Sequence, residues 1–507
     1  MMAKRKANRP VATPSLAKLK KVLTGIEGLD EITDGGFPAG RPTLVCGNAG
    51  CGKTLLAVEF LVRGAQQYGE AGVLVSFEEN EEELYENMAS LGFDLRRLEI
   101  QKKLAIDHVY LERSEIEETG EYDLEGLFIR INHAVQSVGA KRIVLDTIEA
   151  LFGGIPNENI LRSELRRLFR WLKDQGLTAV ITAEQGDGTL TRHGLEEYVA
   201  DCVIMLDHQV SEQTSTRRVR IVKYRGSTHG TIQYPFLIDE NGMSVLPLTS
   251  IGLNHKVSTA RISTGIARLD AMMEGKGYFK GSSILASGTA GTGKTSMAMH
   301  LADAACSRGE RCLYIASEES ADQVVRNGKS IGLNLSKWRT RGLLEFKNAR
   351  PTLTGLEKHL VTIHKQVNQF DPKVVIFDPI SNMSAIGEGA EVQSMLMRML
   401  DFFKSRGITS FCTSLTHGGD ALEKTEVGIS SIMDTWLLLR DIEYSGERTR
   451  VMYILKSRGM AHSNQMREFL ITSKGVDLLD IYVGSGRVLT GAARAAQEMK
   501  EKQIDIG

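Results

Sequence analysis

Two stretches of the chain share one pattern: glycine, four residues, glycine, lysine, threonine. They are "GNAGCGKT" from Gly47 and "GTAGTGKT" from Gly288. Each follows an apolar run that reads as a strand and precedes a stretch with helical apolar spacing. In that context the pattern is a specific signal for polyphosphate binding. The glycines let successive backbone N–H groups turn toward phosphate oxygens, and the helix that follows adds its positive N-terminal end. The expected phosphate contacts in the first copy are Gly47, Asn48, Ala49, Gly50, Cys51, Gly52, Lys53, Thr54 and Leu55. In the second they are Gly288, Thr289, Ala290, Gly291, Thr292, Gly293, Lys294, Thr295 and Ser296. Lys53 and Lys294 would reach the β and γ phosphates, and Thr54 and Thr295 would place a hydroxyl on Mg²⁺.

Carboxylates stand where such a site needs them. Asp146 ends the apolar run "RIVLD" and Asp378 ends "VVIFD". An aspartate at a strand end is often a helix cap, but after a P-loop it reads as the residue that holds the metal. Glu78-Glu79 and Glu318-Glu319 also follow strands, on the rim where a ligand would lie. A glutamate there can polarise a water or a hydroxyl for attack on the γ-phosphate, and Glu318 is counted with the metal-site residues too. The solvated acidic run "EENEEELYEN" is the bland reading of the first pair. The second pair stands without such a run.

A last paired motif is "KYRGSTH" and "KSRGMAH". Each ends a late strand, far along the chain from its own P-loop. Lys223 and Arg225, with Lys456 and Arg458, therefore suit service in trans to a neighbouring subunit's nucleotide, as an arginine finger does. His229 and His462 are weaker candidates for the same contact. If the motif works in trans, nucleotide lies between subunits and the assembly is a ring.

The elements that must position these residues come in two sets. "TGIEGLDEI" from Thr24 returns as "TGIARLDAM" from Thr264, "VLVSFEEN" as "LYIASEES", and "VKYRGSTHG" as "LKSRGMAHS", all in one order. This is a tandem duplication of a whole domain, far longer than a solenoid repeat. The expected organisation is a disordered basic tail over 1–15, an N-terminal domain over 16–253, a C-terminal domain over 254–483 and a tail over 484–507. In the first copy "TLVCG", "GVLVSF", "RIVLD", "TAVITA" and "DCVIML" read as strands, separated by helical patterns such as "KTLLAVEFLVRGAQQYG". Apolar strands alternating with helices give an α/β fold: in each half, a mainly parallel sheet flanked by helices, with ligand at the C-terminal strand ends.

Composition sets the outer bounds. Hydrophobic residues at 42% and charged residues at 25% fit a globular protein, and a formal net charge of −1 gives no general pull toward nucleic acid or acidic membrane. No apolar run approaches the length of a membrane helix, and a cytoplasmic location is expected. The six cysteines lack metal spacing and read as small buried hydrophobes in a reduced protein.

Taken together, the doubled P-loop, the doubled glutamate pair, the doubled K-x-R-G-x-x-H and the segment "ISSIMDT" resemble the KaiC family. These are RecA-like ATPases and autokinases of the circadian clock. The resemblance runs from about Leu16 to about Tyr482. It implies ATP and Mg²⁺ as cofactors and a homohexamer of two stacked rings, with an ATPase N-terminal ring and an autokinase and autophosphatase C-terminal ring. Ser90, Tyr224, Ser227, Arg450 and Ser457 complete the expected nucleotide contacts. Ser430 and Ser431 are the expected phosphorylation sites, with Glu318 as the base. Aligning Lys223 with Lys456 sets these serines opposite Glu197 and Tyr198, so only the second copy offers hydroxyls there. The resemblance also implies a KaiB-like partner on the first ring, beside "SEIEETGEYD" from Ser114.

Three departures narrow this reading. The phosphorylation pair is Ser-Ser rather than Ser-Thr, the C-terminal tail is unlike a segment that receives a KaiA-like activator, and Pro379 follows Asp378. They fit a non-cyanobacterial type of KaiC, with a two-component timing device or a stress regulator as the alternative to a daily oscillator. A RecA-like nucleic-acid motor is the competing class. It should show a basic stripe or an aromatic platform, whereas aromatics are only 6% of the chain.

Overall fold

Nine-stranded sheets form from the apolar runs, one in each half of the chain. The computed structural model describes residues 19–109, 125–152, 158–186, 188–191, 194, 200–211, 214–247, 257–348, 356–385, 389–416, 429–444, 447–480, 482–484 and 487–489. The tail over 1–15, the segment Ser114–Asp123, Glu197, Tyr198 and most of 484–507 lie outside the described residues.

The chain divides into two compact units that change over between Pro247 and Leu248. In the first unit the strands are β1 (Pro42–Gly47), β2 (Gly72–Ser76), β3 (Leu104–His108), β4 (Arg142–Asp146), β5 (Thr178–Glu184), β6 (Cys202–Ser211), β7 (Thr214–Tyr224), β8 (Gln233–Asp239) and β9 (Gly242–Val245). Their order across the sheet is β3-β2-β4-β5-β1-β6-β7-β8-β9. The second unit has β10 (Ser283–Gly288), β11 (Cys312–Ala316), β12 (Leu344–Asn348), β13 (Val374–Asp378), β14 (Thr409–Leu415), β15 (Thr435–Tyr444), β16 (Glu447–Ser457), β17 (Arg467–Thr472) and β18 (Gly475–Asp480). Their order, β12-β11-β13-β14-β10-β15-β16-β17-β18, is the same when each strand is matched with its counterpart. The duplication read from sequence is thus a duplication of topology.

Central pairs are parallel: β1 with β5 and β6, β10 with β14 and β15. The far end of each sheet is antiparallel, as in β7-β8-β9 and β15-β16-β17-β18. The sequence reading caught the five buried parallel strands of the first half and missed β3, "LAIDH". This edge strand keeps only Leu104 fully buried, so its pattern is diluted with polar residues.

The helices that matter for the site are α1 (Lys53–Gln67), α2 (Glu81–Ala89), α3 (Glu125–Val138) and α4 (Glu158–Asp174) in the first unit, with α5 (Lys294–Ser307), α6 (Ala321–Ser330) and α7 (Gly389–Ser405) in the second. In the first unit one sheet face packs Val45, Leu74 and Val144 against α1 and α2. The other packs Leu44, Val73 and Ile143 against α3 and α4. Successive residues of a strand therefore serve opposite cores.

One polar side chain ties this core together. Arg142 is 1% exposed and donates to the carbonyls of Phe60 and Leu23 and to the Glu70 carboxylate. Burial holds its guanidinium below the ordinary range, against the pull of Glu70. Arg142→Met should destabilise the first unit by about 2–4 kcal/mol, because Glu70 and two carbonyls lose their donor while Glu70 keeps some access to water. Denaturant unfolding followed by circular dichroism measures it. A loss below about 1 kcal/mol would show that the burial cost cancels the bonds.

Candidate nucleotide and phospho-acceptor sites

Both P-loops leave the C-terminal end of a central strand and turn directly into a helix. Gly52 and Gly293 precede α1 and α5 in left-handed backbone, with φ 104° and 99°, and no side chain caps either helix. The first helical N–H groups therefore stay available to an anion. Lys53 donates to the carbonyls of Gly47 and Asn48 at 2.9 and 3.1 Å, and Lys294 to those of Gly288 and Thr289 at 2.8 Å each. Burial holds the Lys294 ammonium below its ordinary range, although Asp378 and Glu318 pull it upward. Cys51 and Thr292 turn their side chains inward and are fully buried; the Thr292 hydroxyl donates to the Thr289 carbonyl. Their expected contribution to phosphate is confined to the backbone.

The carboxylates gather beside the loops because the strands put them there. In the first unit Ser76 pairs with Asp146, and in the second Ala316 pairs with Asp378, so the glutamate pair emerges beside the aspartate in both. Asp146 accepts hydrogen bonds from the hydroxyls of Thr182 and Thr54. Burial raises its pKa, and the Glu78 charge adds to the shift, while the two threonines and Lys53 oppose it. Asp378 accepts from Thr413 and from the Tyr314 phenol, the latter at 2.6 Å. Among the described residues no three His, Cys, Asp or Glu side chains cluster as a metal site. A hydroxyl and one strand-end carboxylate fit Mg²⁺, which takes oxygen ligands and completes its shell with water and phosphate.

The two glutamates of each pair have different surroundings. Glu78 accepts from the Thr147 hydroxyl at 2.7 Å. Glu79 accepts from the Asn87 side chain at 3.4 Å, and Glu319 from Asn327 at 3.0 Å. Burial raises the pKa of Glu79, and Asn87 opposes the shift. The second glutamate is thus anchored to the helix that follows, whereas Glu78 is held by Thr147. The second unit has Pro379 where the first has Thr147, so no hydroxyl braces Glu318 from that position. Ser90 ends α2 and its hydroxyl bonds only locally, to the Asn87 carbonyl at 2.7 Å.

The K-x-R-G-x-x-H motifs stand at the opposite end of the strands. Ile284, at the start of β10, pairs with Thr435, and Thr435 pairs with Ser457, while the P-loop follows Gly288 at the other end. A strand of six residues spans about 17 Å. Lys456 donates to the Ser430 carbonyl at 2.7 Å, and Arg458 to the Ser431 carbonyl at 2.6 Å. Both serines lie in a turn just before β15, partly exposed and exposed respectively. Ser457 shares a hydrogen bond with Thr435 at 2.9 Å. Burial, with Arg458 and Lys404 nearby, holds Lys456 below the ordinary lysine range, against Asp434.

In the first unit Arg225 lies 3.8 Å from Asp201, Tyr224 is buried and donates to the Gly36 carbonyl, and Ser227 accepts from Lys21. Lys223 is the penultimate residue of β7. His229 and His462 bond only locally, to the carbonyls of Gly230 and Met460. Arg450 reaches its own P-loop, donating to the Gly291 carbonyl at 3.0 Å.

The sequence reading missed Thr147, Thr182, Thr413, Tyr314, Asn87 and Asn327. A hydroxyl on the strand next to the aspartate is a signal, but only after strand order is known. The asparagines follow the second glutamate by eight residues, a spacing set by the helix caps at Asn80 and Ser320.

The family profile described as "ATPase: KaiC" matches residues 22–250 and 262–482. The chain belongs to the KaiC family of ATPases. It is 58% identical to the circadian clock protein KaiC2 of Synechocystis sp. over 488 residues, 96% of this chain and 86% of that protein. It is 37% identical to the circadian clock oscillator protein KaiC of Thermosynechococcus vestitus over 482 residues, 94% and 92% of the two chains. Against the circadian clock protein KaiC3 of Synechocystis sp. the identity is 37%, covering 91% and 92%. This KaiC-family ATPase thus carries two tandem RecA-like P-loop domains that bind nucleotide. No helix among its described residues is long and apolar enough to cross a membrane.

Asp146 gives a test of the site against the fold. Its folded-state pKa lies above the unfolded value, so stability from this group is gained as pH falls through the folded pKa. At neutral pH the ionised form is a cost. Asp146→Asn, measured without nucleotide near pH 7, should raise the first unit's Tm by about 2–4 °C, as ~1 kcal/mol does in a domain of this size, and should abolish its hydrolysis. A lower Tm would mean the hydroxyls of Thr182 and Thr54 outweigh burial.

Proposed function

We propose that the chain is an ATP-hydrolysing, serine-autophosphorylating KaiC. Its nucleotides are bridged between subunits of a homohexameric double ring, with Mg²⁺ held by Thr54 and Asp146 in one ring and by Thr295, Asp378 and Glu318 in the other. The observation that carries the reading is the clasp of Lys456 and Arg458 on the Ser430–Ser431 backbone, at the sheet end remote from the chain's own P-loop. Acceptor hydroxyls and basic pair form one surface, and a neighbour's nucleotide is what such a surface would meet. There Glu318 takes the proton from a serine hydroxyl, the serine oxygen bonds to the γ-phosphorus, and the bond to the β–γ bridging oxygen breaks to leave ADP. Lys294 and the P-loop N–H groups hold the phosphoryl oxygens.

The halves divide the labour. Thr147 braces Glu78 for a small nucleophile, water, whereas Glu318 has Pro379 in place of that donor and serves a hydroxyl that arrives on a protein segment. The clock names of the relatives support a timing role; a cytoplasmic location and a KaiB-like partner on the first ring belong to the same proposal. The Ser430-Ser431 pair, the C-terminal tail sequence and Pro379 support a variant without a KaiA-like activator.

Two measurements test this. Glu78→Gln should lower steady-state hydrolysis by roughly 10²-fold or more and leave serine phosphorylation in place, with Glu79→Gln milder; a loss below twofold for Glu78→Gln would remove it as the base. Mixing a Lys294→Ala chain with a Ser430→Ala/Ser431→Ala chain should place phosphate on the Lys294→Ala chain, detected by phosphopeptide mapping. Absence of phosphate from both serines in the unaltered protein would end the autokinase assignment.

A further inference from the structure

Helix α4 carries Arg162, Arg166 and Arg170 at four-residue spacing, which sets them on one helical face. All three are exposed, and none makes an ion pair or hydrogen bond to a described residue. They border an open cleft of about 660 Å³ beside α3. Helix α2 carries a matching excess of the other sign, with Glu81, Glu82 and Glu86 all exposed; of these, Glu82 pairs with Arg96.

Three features join the two surfaces. The first is placement: Leu84 and Met88 pack α2 on one face of the sheet, while Leu165, Leu168 and Leu172 pack α4 on the other. One copy cannot bring opposite faces together. Head-to-tail packing of identical copies does so at every interface.

The second is proximity to the groups that would meet across such an interface. Lys173, in the last turn of α4, pairs with Asp201, whose carbonyl accepts from the Arg225 backbone. Helix α2 begins directly after Glu78-Glu79, on the rim of the nucleotide that Arg225 would reach. The third is their loss from the second unit, which keeps none of the arginines and only one of the three acids. In the register that pairs Thr182 with Thr413, the arginines fall on Gln393, Met397 and Asp401. In the register that pairs Glu78 with Glu318, the acids fall on Ala321, Asp322 and Arg326.

We propose that the α4 arginines of one copy pair with the α2 glutamates of the next, an electrostatic seam peculiar to the first unit. The inference rests on the head-to-tail arrangement proposed above. Charge arranged this way sets register and partner choice, and like charges facing each other are costly.

The test uses the full chain with ATP and Mg²⁺ at low salt. An Arg162→Glu/Arg166→Glu/Arg170→Glu chain and a Glu81→Lys/Glu82→Lys/Glu86→Lys chain are weighed by native mass spectrometry, with circular dichroism melting to confirm folding. Each alone should need about tenfold more protein, or greater, to assemble. An equimolar mixture should assemble as the unaltered protein does, because alternating copies face opposite charges at every interface. Unchanged assembly of either variant overturns the seam, and so does a mixture that stays apart. Arg225→Ala separates the underlying reading: unchanged turnover would remove the trans role of the motif, whereas restoration in the mixture would still establish the seam.

Discussion

A β-carbon at Gly47 would stand 2.2 Å from the Leu206 carbonyl oxygen, and one at Gly288 would stand 2.3 Å from that of Leu439. These approaches set the geometry of both sites. The strand that feeds each P-loop is enclosed by a parallel neighbour on either side, so the loop emerges mid-sheet with no freedom to lean outward. Only glycine lets the backbone turn there while β6 or β15 passes so close. The helix dipole, the buried lysine and the strand-end carboxylates are aimed at one point because that exit is fixed. A wider exit would leave the same residue types present and uncoordinated.

The chemistry of the loops was legible in the sequence because it is local. Eight consecutive residues specify a phosphate cradle wherever a strand precedes and a helix follows. The parallel strands were legible because burial on both faces makes them apolar throughout. What escaped was non-local. Thr182 matters only because β5 lies next to β4, and Tyr314 only because β11 lies next to β13. Strand β3 escaped because an edge position relaxes the apolar demand. The clasp of Lys456 and Arg458 on the serine turn was out of reach for the same reason, since it joins residues some 26 positions apart through an antiparallel pair. The motif itself was found only because the chain states it twice.

Duplication also turns differences into information. Both units keep the lysine, the aspartate, its threonine donor, the glutamate pair and the asparagine that anchors the second glutamate. Against that fixed frame Thr147 gives way to Pro379, and Leu74 to Tyr314. The first change removes a donor to the leading glutamate, and the second adds one to the aspartate. One scaffold can thus give the proposed base a hydroxyl partner in one half and the proposed metal carboxylate a phenol partner in the other without altering a strand.

Asp201 and Asp434 show how the far end of the strands is joined to the same scaffold. Each accepts the backbone N–H of the motif arginine, Arg225 or Arg458, on its carbonyl at 2.8 Å. Each donates its own N–H to the start of the central strand, at Pro42 or Ser283. Each side chain takes a lysine from the helix packed on that strand, Lys173 or Lys404. Burial works against ionisation of Asp434, but the Ser283 donors and Lys404 hold its carboxyl below the usual carboxylate range. The motif is therefore bonded to the foot of the strand whose head carries the P-loop. A displacement of the serine turn or of the motif arginine has a direct backbone route, one strand long, to the nucleotide bound by the same copy. In a head-to-tail ring each copy offers its foot to one neighbour and its head to the other. The central strand is then the physical element through which adjacent nucleotides would sense one another.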